Sequence, residues 1–294
     1  MINVIKATYG GVDCTNEVIQ NIVNNLLVIK SGNDIIGDTN VGVVKYLNIE
    51  WNIDDGEIQY DTIKEGSFIR IPKSNNDRLA IFYSNNNNTK IWPAIQKSLD
   101  TIRIASEGIA DVITCTWVDL PDNPFYNVPS WYKSQSHLNQ LLQVLQCLYT
   151  ARETGQYKYV SFCEHDVMYP KNYFNYPDFN SGEVLTNMNY GGLCKDGWQN
   201  RNQNDEPFHQ MTMLFDDAIK HCENILPNAI RTNSGMVEPQ QTMTRIQWEC
   251  ENQAIHINHG VHFTSHNTIY SRNDIVPMHP YWGDYMDYQN LLNI

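Results

Sequence analysis

Between residues 79 and 163 short apolar runs alternate with long stretches of helical spacing, and this pattern constrains the fold more than any other feature. Leu79-Ala80-Ile81-Phe82-Tyr83, Val112-Ile113-Thr114-Cys115-Thr116-Trp117-Val118 and Tyr157-Lys158-Tyr159-Val160-Ser161-Phe162-Cys163 read as buried strands. Thr89 to about Ser106 carries Ile91, Ile95, Leu99 and Ile102 at near-helical spacing. Ser136 to Thr154 carries Leu138, Leu141, Leu142, Leu145 and Leu148, with Gly155 at the expected stop. Strand, helix, strand, helix, strand calls for parallel strands joined by crossover helices, because no tight turn can link a parallel pair. The expected fold is α/β over residues 79–294, a mainly parallel sheet with flanking helices. Such sheets bind ligands at the carboxyl ends of their strands, so function is sought there first.

Three groups stand at those ends. After the first strand come Tyr83, Ser84 and Asn85, an aromatic ring that could stack on a base beside two polar side chains that could bond it. Asp119 follows the second strand. Glu164-His165-Asp166 follows the third, ahead of Val167-Met168-Tyr169-Pro170. Two carboxylates flanking an imidazole suit a divalent cation, with hard oxygens for Mg²⁺ or Mn²⁺ and the His tilting the choice toward Mn²⁺. Far downstream, His256, His259, His262 and His266 crowd into eleven residues. On a strand His256 and His262 share a face and His259 takes the other. A strand ending in a turn there brings one or two of them beside Asp166.

Charge narrows the chemistry. Twenty Lys and Arg against 33 Asp and Glu leave a formal charge of -13, the wrong sign for coating a phosphate backbone. A bound cation is then the economical way to hold a diphosphate, with Lys133, Lys158, Lys195 and Arg201 as the basic residues in reach of that role. Seven Cys occur singly without a CxxC pair, which argues against a disulfide scaffold or zinc ribbon. The first residues lack a charged segment followed by an apolar one, and no run of 18 apolar residues occurs, so the expectation is a cytoplasmic protein without a membrane partner.

The strand followed by Glu164-His165-Asp166 and Tyr169-Pro170, behind two βα units and ahead of a late His cluster, resembles the acidic metal motif of GT-A-fold glycosyltransferases. The resemblance covers about residues 79 to 270. It implies that a nucleotide-diphosphate sugar lies across the strand ends, that Asp166 binds the metal, and that Glu164 and His165 face the ribose or sugar. It also implies a late metal ligand among His259, His262 and His266, and a nucleotide held by Tyr83, Ser84, Asn85 and Asp119 with help from Lys133. An inverting transferase needs a general base for the acceptor hydroxyl, for which Glu249, Asp217 and Glu206 are the candidates. Asp205-Glu206-Pro207 precedes an expected helix from Phe208 to Leu226, and Gly191-Gly192 with Trp198 reads as a loop whose indole could stack on a pyranose.

Turn formers at Ile71-Pro72-Lys73-Ser74-Asn75-Asn76-Asp77-Arg78 mark a boundary. Residues 1–74 alternate short β-type runs with turns and read as a small β-rich accessory domain, with a short helix expected over Glu17 to Asn25. Ala7-Thr8-Tyr9-Gly10-Gly11-Val12-Asp13-Cys14-Thr15, with Asn33 to Asp38 and Gly42 to Leu47, looks like a β module attached to DnaJ-type proteins. The 35 Asn, with abundant Ile and Tyr, resemble the usage of AT-rich viral genomes, phage included, which puts the protein in the host cytoplasm. The acceptor is then a glycan, a small molecule, or a hydroxymethylated base of viral DNA. Residues 79–294 carry 13 basic and 22 acidic side chains, a negative balance that argues against duplex DNA. Two further readings are a metal-dependent hydrolase built on the same carboxylates and a non-catalytic carbohydrate-binding protein built on the aromatics.

Overall fold

The computed structural model describes residues 1–23, 25–120, 122–200, 210–233, 243–258 and 275–292. The chain divides into two compact units. The first is Met1–Asn75 with the segments Pro124–Tyr126 and Tyr149–Gln156; the second is Asn76–Asn123, Asn127–Leu148 and Tyr157–Ile294.

The first unit contains β1 (Ile2–Tyr9), β2 (Val12–Asp13), α1 (Thr15–Ile19), β3 (Ile22–Val23), β4 (Leu26–Lys30), β5 (Tyr46–Ile53), β6 (Gln59–Lys64) and β7 (Phe68–Ile71). They form two antiparallel sheets, ordered β2-β1-β5-β6 and β3-β4-β7. A register shift in β1 between Val4 and Lys6 inserts an extra residue. It switches the parity of burial, so that Ile2 and Val4 point inward before it and Ala7 and Tyr9 after it. These four pack with Leu47, Ile49 and Trp51 of β5 in one core. The expected helix over Glu17 to Asn25 stops early: Ile22–Val23 pairs instead with Leu26–Leu27 as a tight hairpin. Lys45 is 4 % exposed, with Nζ 2.8 Å from Asp38 Oδ1 and 3.6 Å from Glu65 Oε1. The Tyr9 hydroxyl lies 2.9 Å from the same Glu65 oxygen. Burial, aided by Glu65, pushes that hydroxyl up to about 12, while the hydrogen bond from Lys45 Nζ holds Asp38 below its ordinary value.

From residue 78 the chain forms β8 (Arg78–Ser84), α2 (Trp92–Ser106), β9 (Asp111–Thr116), β10 (Tyr126–Asn127), α3 (His137–Thr154) and β11 (Tyr159–Glu164), all in the second unit except Tyr126 and the end of α3 from Tyr149. It continues through β12 (Val167–Met168), β13 (Glu183–Asn187), β14 (Tyr190–Cys194), β15 (Gly197–Asn200), β16 (Met211–Leu214), α4 (Phe215–Thr232), β17 (Thr244–Trp248), β18 (Ala254–Ile257) and β19 (Ile275–Val276). The strand-helix-strand-helix-strand order is present, and β9-β8-β11 are parallel. The sheet they belong to is mixed, with β13 and β17 also parallel. Its order is β10-β9-β8-β11-β16-β13-β17, and β16 runs antiparallel to both β11 and β13. The sheet is mixed because Met211 to Leu214, expected inside a helix from Phe208, forms a strand, and α4 starts only at Phe215. A short apolar run carries no periodicity that separates a buried strand from a helix turn.

A second sheet, ordered β12-β18-β14-β15-β19, lies in the same unit. Its core gathers Met168, Leu193, Trp198, Ile255 and Ile257 with Leu291 and Leu292 of the C-terminal segment. The expected Gly191-Gly192 loop is strand β14, which pairs with β15. A Cβ on Gly191 would stand 2.7 Å from Gln199 O and 2.6 Å from Gln253 Oε1, so glycine there serves close strand approach. All seven Cys are buried free thiols.

Candidate functional site

The parallel strands β9, β8 and β11 end on one edge at Thr116, Ser84 and Glu164. Glu164 sits opposite Tyr83 in the β8–β11 register, and the Tyr83 hydroxyl donates to Glu164 Oε1 at 3.1 Å. After Glu164 the chain turns through His165 and Asp166 into β12. That two-residue strand runs antiparallel to β18, with Val167 opposite His256. The backbone N–H of Ile257 donates to Asp166 O at 2.7 Å and ties the turn to β18. The tie brings His256 Nε2 to 3.2 Å from Asp166 Oδ2, with the two side chains 13 % and 9 % exposed.

An aromatic wedge supports the turn from below. Glu164 N–H donates to the Tyr169 hydroxyl at 3.2 Å, and Tyr169 N–H donates to Thr101 Oγ1 of α2 at 3.1 Å. The Tyr169 ring packs edge-on against Tyr173 at 4.8 Å. Burial raises the Tyr169 hydroxyl well above its ordinary value, so it stays neutral beside Glu164. The arrangement thus sets two carboxylates and an imidazole at one strand end on rigid support, which is what an electrophilic or cation-assisted site requires. Among the described residues no group of three or more His, Cys, Asp or Glu forms a cation cage. Asp166 and His256 supply a hard oxygen and a borderline nitrogen, donor types that suit Mn²⁺.

The other candidates fall in varied places. Tyr83 is 1 % exposed, so its ring belongs to the core and its hydroxyl, not its face, serves the site. Ser84 is buried, and its carbonyl accepts from Gln143 Nε2 at 2.8 Å. Asn85 Nδ2 is spent on Ser136 O at 3.1 Å. Asn86 and Asn88 accept from backbone N–H groups two residues on, so this Asn run is turn chemistry. Asp119 is exposed and accepts from Asn127 Nδ2 at 3.5 Å. Lys133 is exposed on the loop before α3. His165 is 9 % exposed.

One expectation for the base and one for a stacking platform need correction. Asp217 follows β16, whose Leu214 pairs with Tyr159 at the start of β11. It therefore lies at the sheet edge opposite Glu164, where it accepts from Gly182 N–H at 2.9 Å and Ser181 Oγ at 3.1 Å. An antiparallel neighbour puts its carboxyl end at the wrong side. Glu249 follows β17, which shares the edge of Glu164 through β13 and β16, yet three strand spacings separate it from β11, roughly 14 Å. Trp198 is 1 % exposed, and its Nε1 donates to Gly283 O at 2.8 Å. It is a core residue. Glu206, His259, His262 and His266 lie outside the described residues, as do Asp205 and Arg201.

His256 is the residue the sequence signal placed on a strand without assigning it to the cation. The available clue was one polar side chain between Ile255 and Ile257, both fully buried. A cleft of about 610 Å³, lined by Ile5, Lys6, Asp13, Thr15, Asn16, Glu17 and Glu50, belongs to the first unit alone. Among the described residues no helix is long and apolar enough to cross a membrane.

No protein-family model matches the chain, and no curated protein sequence matches it. Among solved structures the chain is similar to the crystal structure of a glycosyltransferase involved in the glycosylation of the major capsid of PBCV-1. The two are 12 % identical with a TM-score of 0.37, over 60 % of this chain and 91 % of that one.

Proposed function

We propose that the second unit is a metal-dependent glycosyltransferase that moves a sugar from a nucleotide-diphosphate donor to an acceptor hydroxyl. The observation that carries this reading is the Asp166–His256 pair, 3.2 Å apart at the carboxyl end of β11. Asp166 and His256 would hold Mn²⁺ or Mg²⁺, with one of His259, His262 or His266 as a further candidate ligand. When bound, the ion neutralises charge on the departing nucleoside diphosphate as a Lewis acid.

The chain's own residues do the rest. Tyr83 donates to one oxygen of Glu164 and so fixes the rotation of the carboxylate that would face the ribose or sugar. Tyr169, held neutral by burial, carries the Glu164 backbone N–H and keeps the turn from shifting as charge develops. Tight orientation of this kind lowers the barrier because it is built before substrate arrives. Glu249 and Glu206 remain the candidates for the base. The acidic balance of the chain favours a glycan or small-molecule hydroxyl as acceptor over duplex DNA.

The test is a thermal-shift panel of nucleotide-diphosphate sugars with and without Mn²⁺. At least one donor should raise the midpoint in the presence of Mn²⁺, and Asp166→Asn should abolish that rise while leaving the unliganded midpoint near the parent value. If no donor stabilises the protein under either condition, the reading fails.

A further inference from the structure

We infer that Trp131 is a stacking platform for a pyranose ring of the acceptor, displayed on a loop that the fold holds rigid beside the donor edge. This rests on the transferase reading above. The indole that sequence spacing offered for such a role, Trp198, is buried. Trp131 is 72 % exposed, the most exposed aromatic side chain among the described residues, and its neighbour Tyr132 is 39 % exposed.

The loop from Pro129 to Ser136 is built, not merely present. Helix α3 carries Asn139, Gln143 and Gln146 at i, i+4 and i+7, hence on one face, and they are 0 %, 0 % and 1 % exposed. Burying amides is costly unless they are bonded, and these bonds go to the loop and to β8. Gln146 Oε1 accepts from Trp131 N–H at 3.0 Å, and its Nε2 donates to Pro129 O. Asn139 Nδ2 donates to Ser134 O at 2.7 Å, and Gln143 Nε2 donates to Ser84 O at 2.8 Å. The same helix face therefore grips the Trp131 backbone and the carboxyl end of β8. Asn85 Nδ2, next along the chain, donates to Ser136 O at 3.1 Å and closes the link. Since β8 lies between β9 and β11, Trp131 is registered to the edge that carries Glu164.

Chemistry selects the occupant. The residues next to Trp131 in sequence, Ser130, Lys133, Ser134 and Gln135, are polar, with Ser130 Oγ donating to Tyr132 O and Gln135 Nε2 to Asn86 Oδ1. One ring with half of another exposes on the order of 200 to 300 Å², well below the roughly 800 Å² per partner of a stable protein contact. A flat apolar face of that size, on a loop of polar residues, matches the C–H face of one pyranose ring. A preset backbone also spares the ordering cost that a mobile aromatic would meet on binding.

The experiment uses the full chain labelled with 5-fluorotryptophan and titrated with methyl pyranosides at millimolar concentration, observed by fluorine NMR. Trp131→Phe identifies the Trp131 signal by its disappearance. At least one methyl pyranoside should shift that signal saturably, leave the Trp198 signal in place, and bind about tenfold more weakly to Trp131→Ala. In turnover the same variant should raise the acceptor KM by about tenfold with donor hydrolysis unchanged, and Trp131→Phe should recover part of the loss. If no pyranoside moves the signal while nucleotide sugars still stabilise the protein, the platform is wrong and the transferase reading stands. If pyranosides bind and no nucleotide sugar does, the platform stands and the transferase reading falls. A change from dimer to monomer in Trp131→Ala, seen by sedimentation, would make the ring a contact between copies and overturn the proposal.

Discussion

Each unit of the molecule sets carboxylates against a nitrogen partner, and the two do so to different ends. In the first, Lys45 brings its own positive charge to Asp38 and Glu65. The carboxyls are held below their ordinary values, Glu65 first by the Lys45 backbone N–H and Asp38 first by Lys45 Nζ. One ammonium meets two carboxylates, and the Tyr9 hydroxyl and the backbone N–H groups of Asn40 and Lys45 donate to them as well. In the second, Asp166 meets an imidazole, and Glu164 meets a tyrosine hydroxyl. A cluster gathered around its own lysine is a structural clasp; the one met by an imidazole and a phenol at the carboxyl end of a strand is the one we propose for ligand binding.

His256→Ala is the sharpest way to break that contrast. It should cost about a hundredfold in donor turnover and in the Mn²⁺ dependence of donor binding, with little change in the thermal midpoint. A collapse of the fold with normal turnover per folded molecule would instead make this pair a clasp like that of Lys45. Lys45→Met should give the opposite phenotype. The first unit should melt earlier, because Asp38 and Glu65 lose their counter-charge, while donor turnover of the folded protein stays near that of the parent; calorimetry alongside a turnover assay separates the two.

The smallest effect is on pH. In the first unit Asp38 and Glu65 titrate below their ordinary values and Lys45 above its own. Their contribution is complete above the ordinary carboxylate range and is lost as pH falls through the lowered folded values. At the basic end, the Lys45 share disappears only as pH rises through its raised value. In the second unit, burial lowers His279 below its ordinary 6.5. Its Nδ1 accepts from the N–H groups of Tyr281 and Trp282, each at 3.1 Å, so a proton there breaks both bonds. The unfolded chain takes up that proton first, and stability falls as pH drops below 6.5. Hydrogen exchange across an acid titration should therefore open residues 278–285 before β1 and β5, and His279→Gln should remove that early step.

Much of this was legible without coordinates, and particular residues show where legibility ends. Leu79 to Tyr83, Val112 to Thr116 and Tyr159 to Cys163 announce strands because each run is apolar throughout and bounded by turns. The sheet's direction beyond β11 was not legible: Met211 to Leu214 is too short to declare its period. Asn85 to Asn88 looked equally suited to gripping a nucleotide or shaping a turn, and only the hydrogen bonds to residues two along and to Ser136 separate the uses. The amide row Asn139, Gln143 and Gln146 was hidden within a leucine-rich helix, since polar residues there read as its solvent face until the loop they bind is in place.

Local order was thus determined by the sequence alone: the alternation of strands and helices and the acidic turn at a strand's end follow from periodicity within a dozen residues. Tertiary structure alone decided which partners meet. His256 reaches Asp166 across 90 residues because β12 and β18 pair, and a two-residue strand is too short for its side-chain pattern to specify a distant partner. It also decided which tryptophan is wet. Trp131 and Trp198 carry the same side chain in similarly polar company, and burial belongs to the layer that packs over a residue, not to the residue itself.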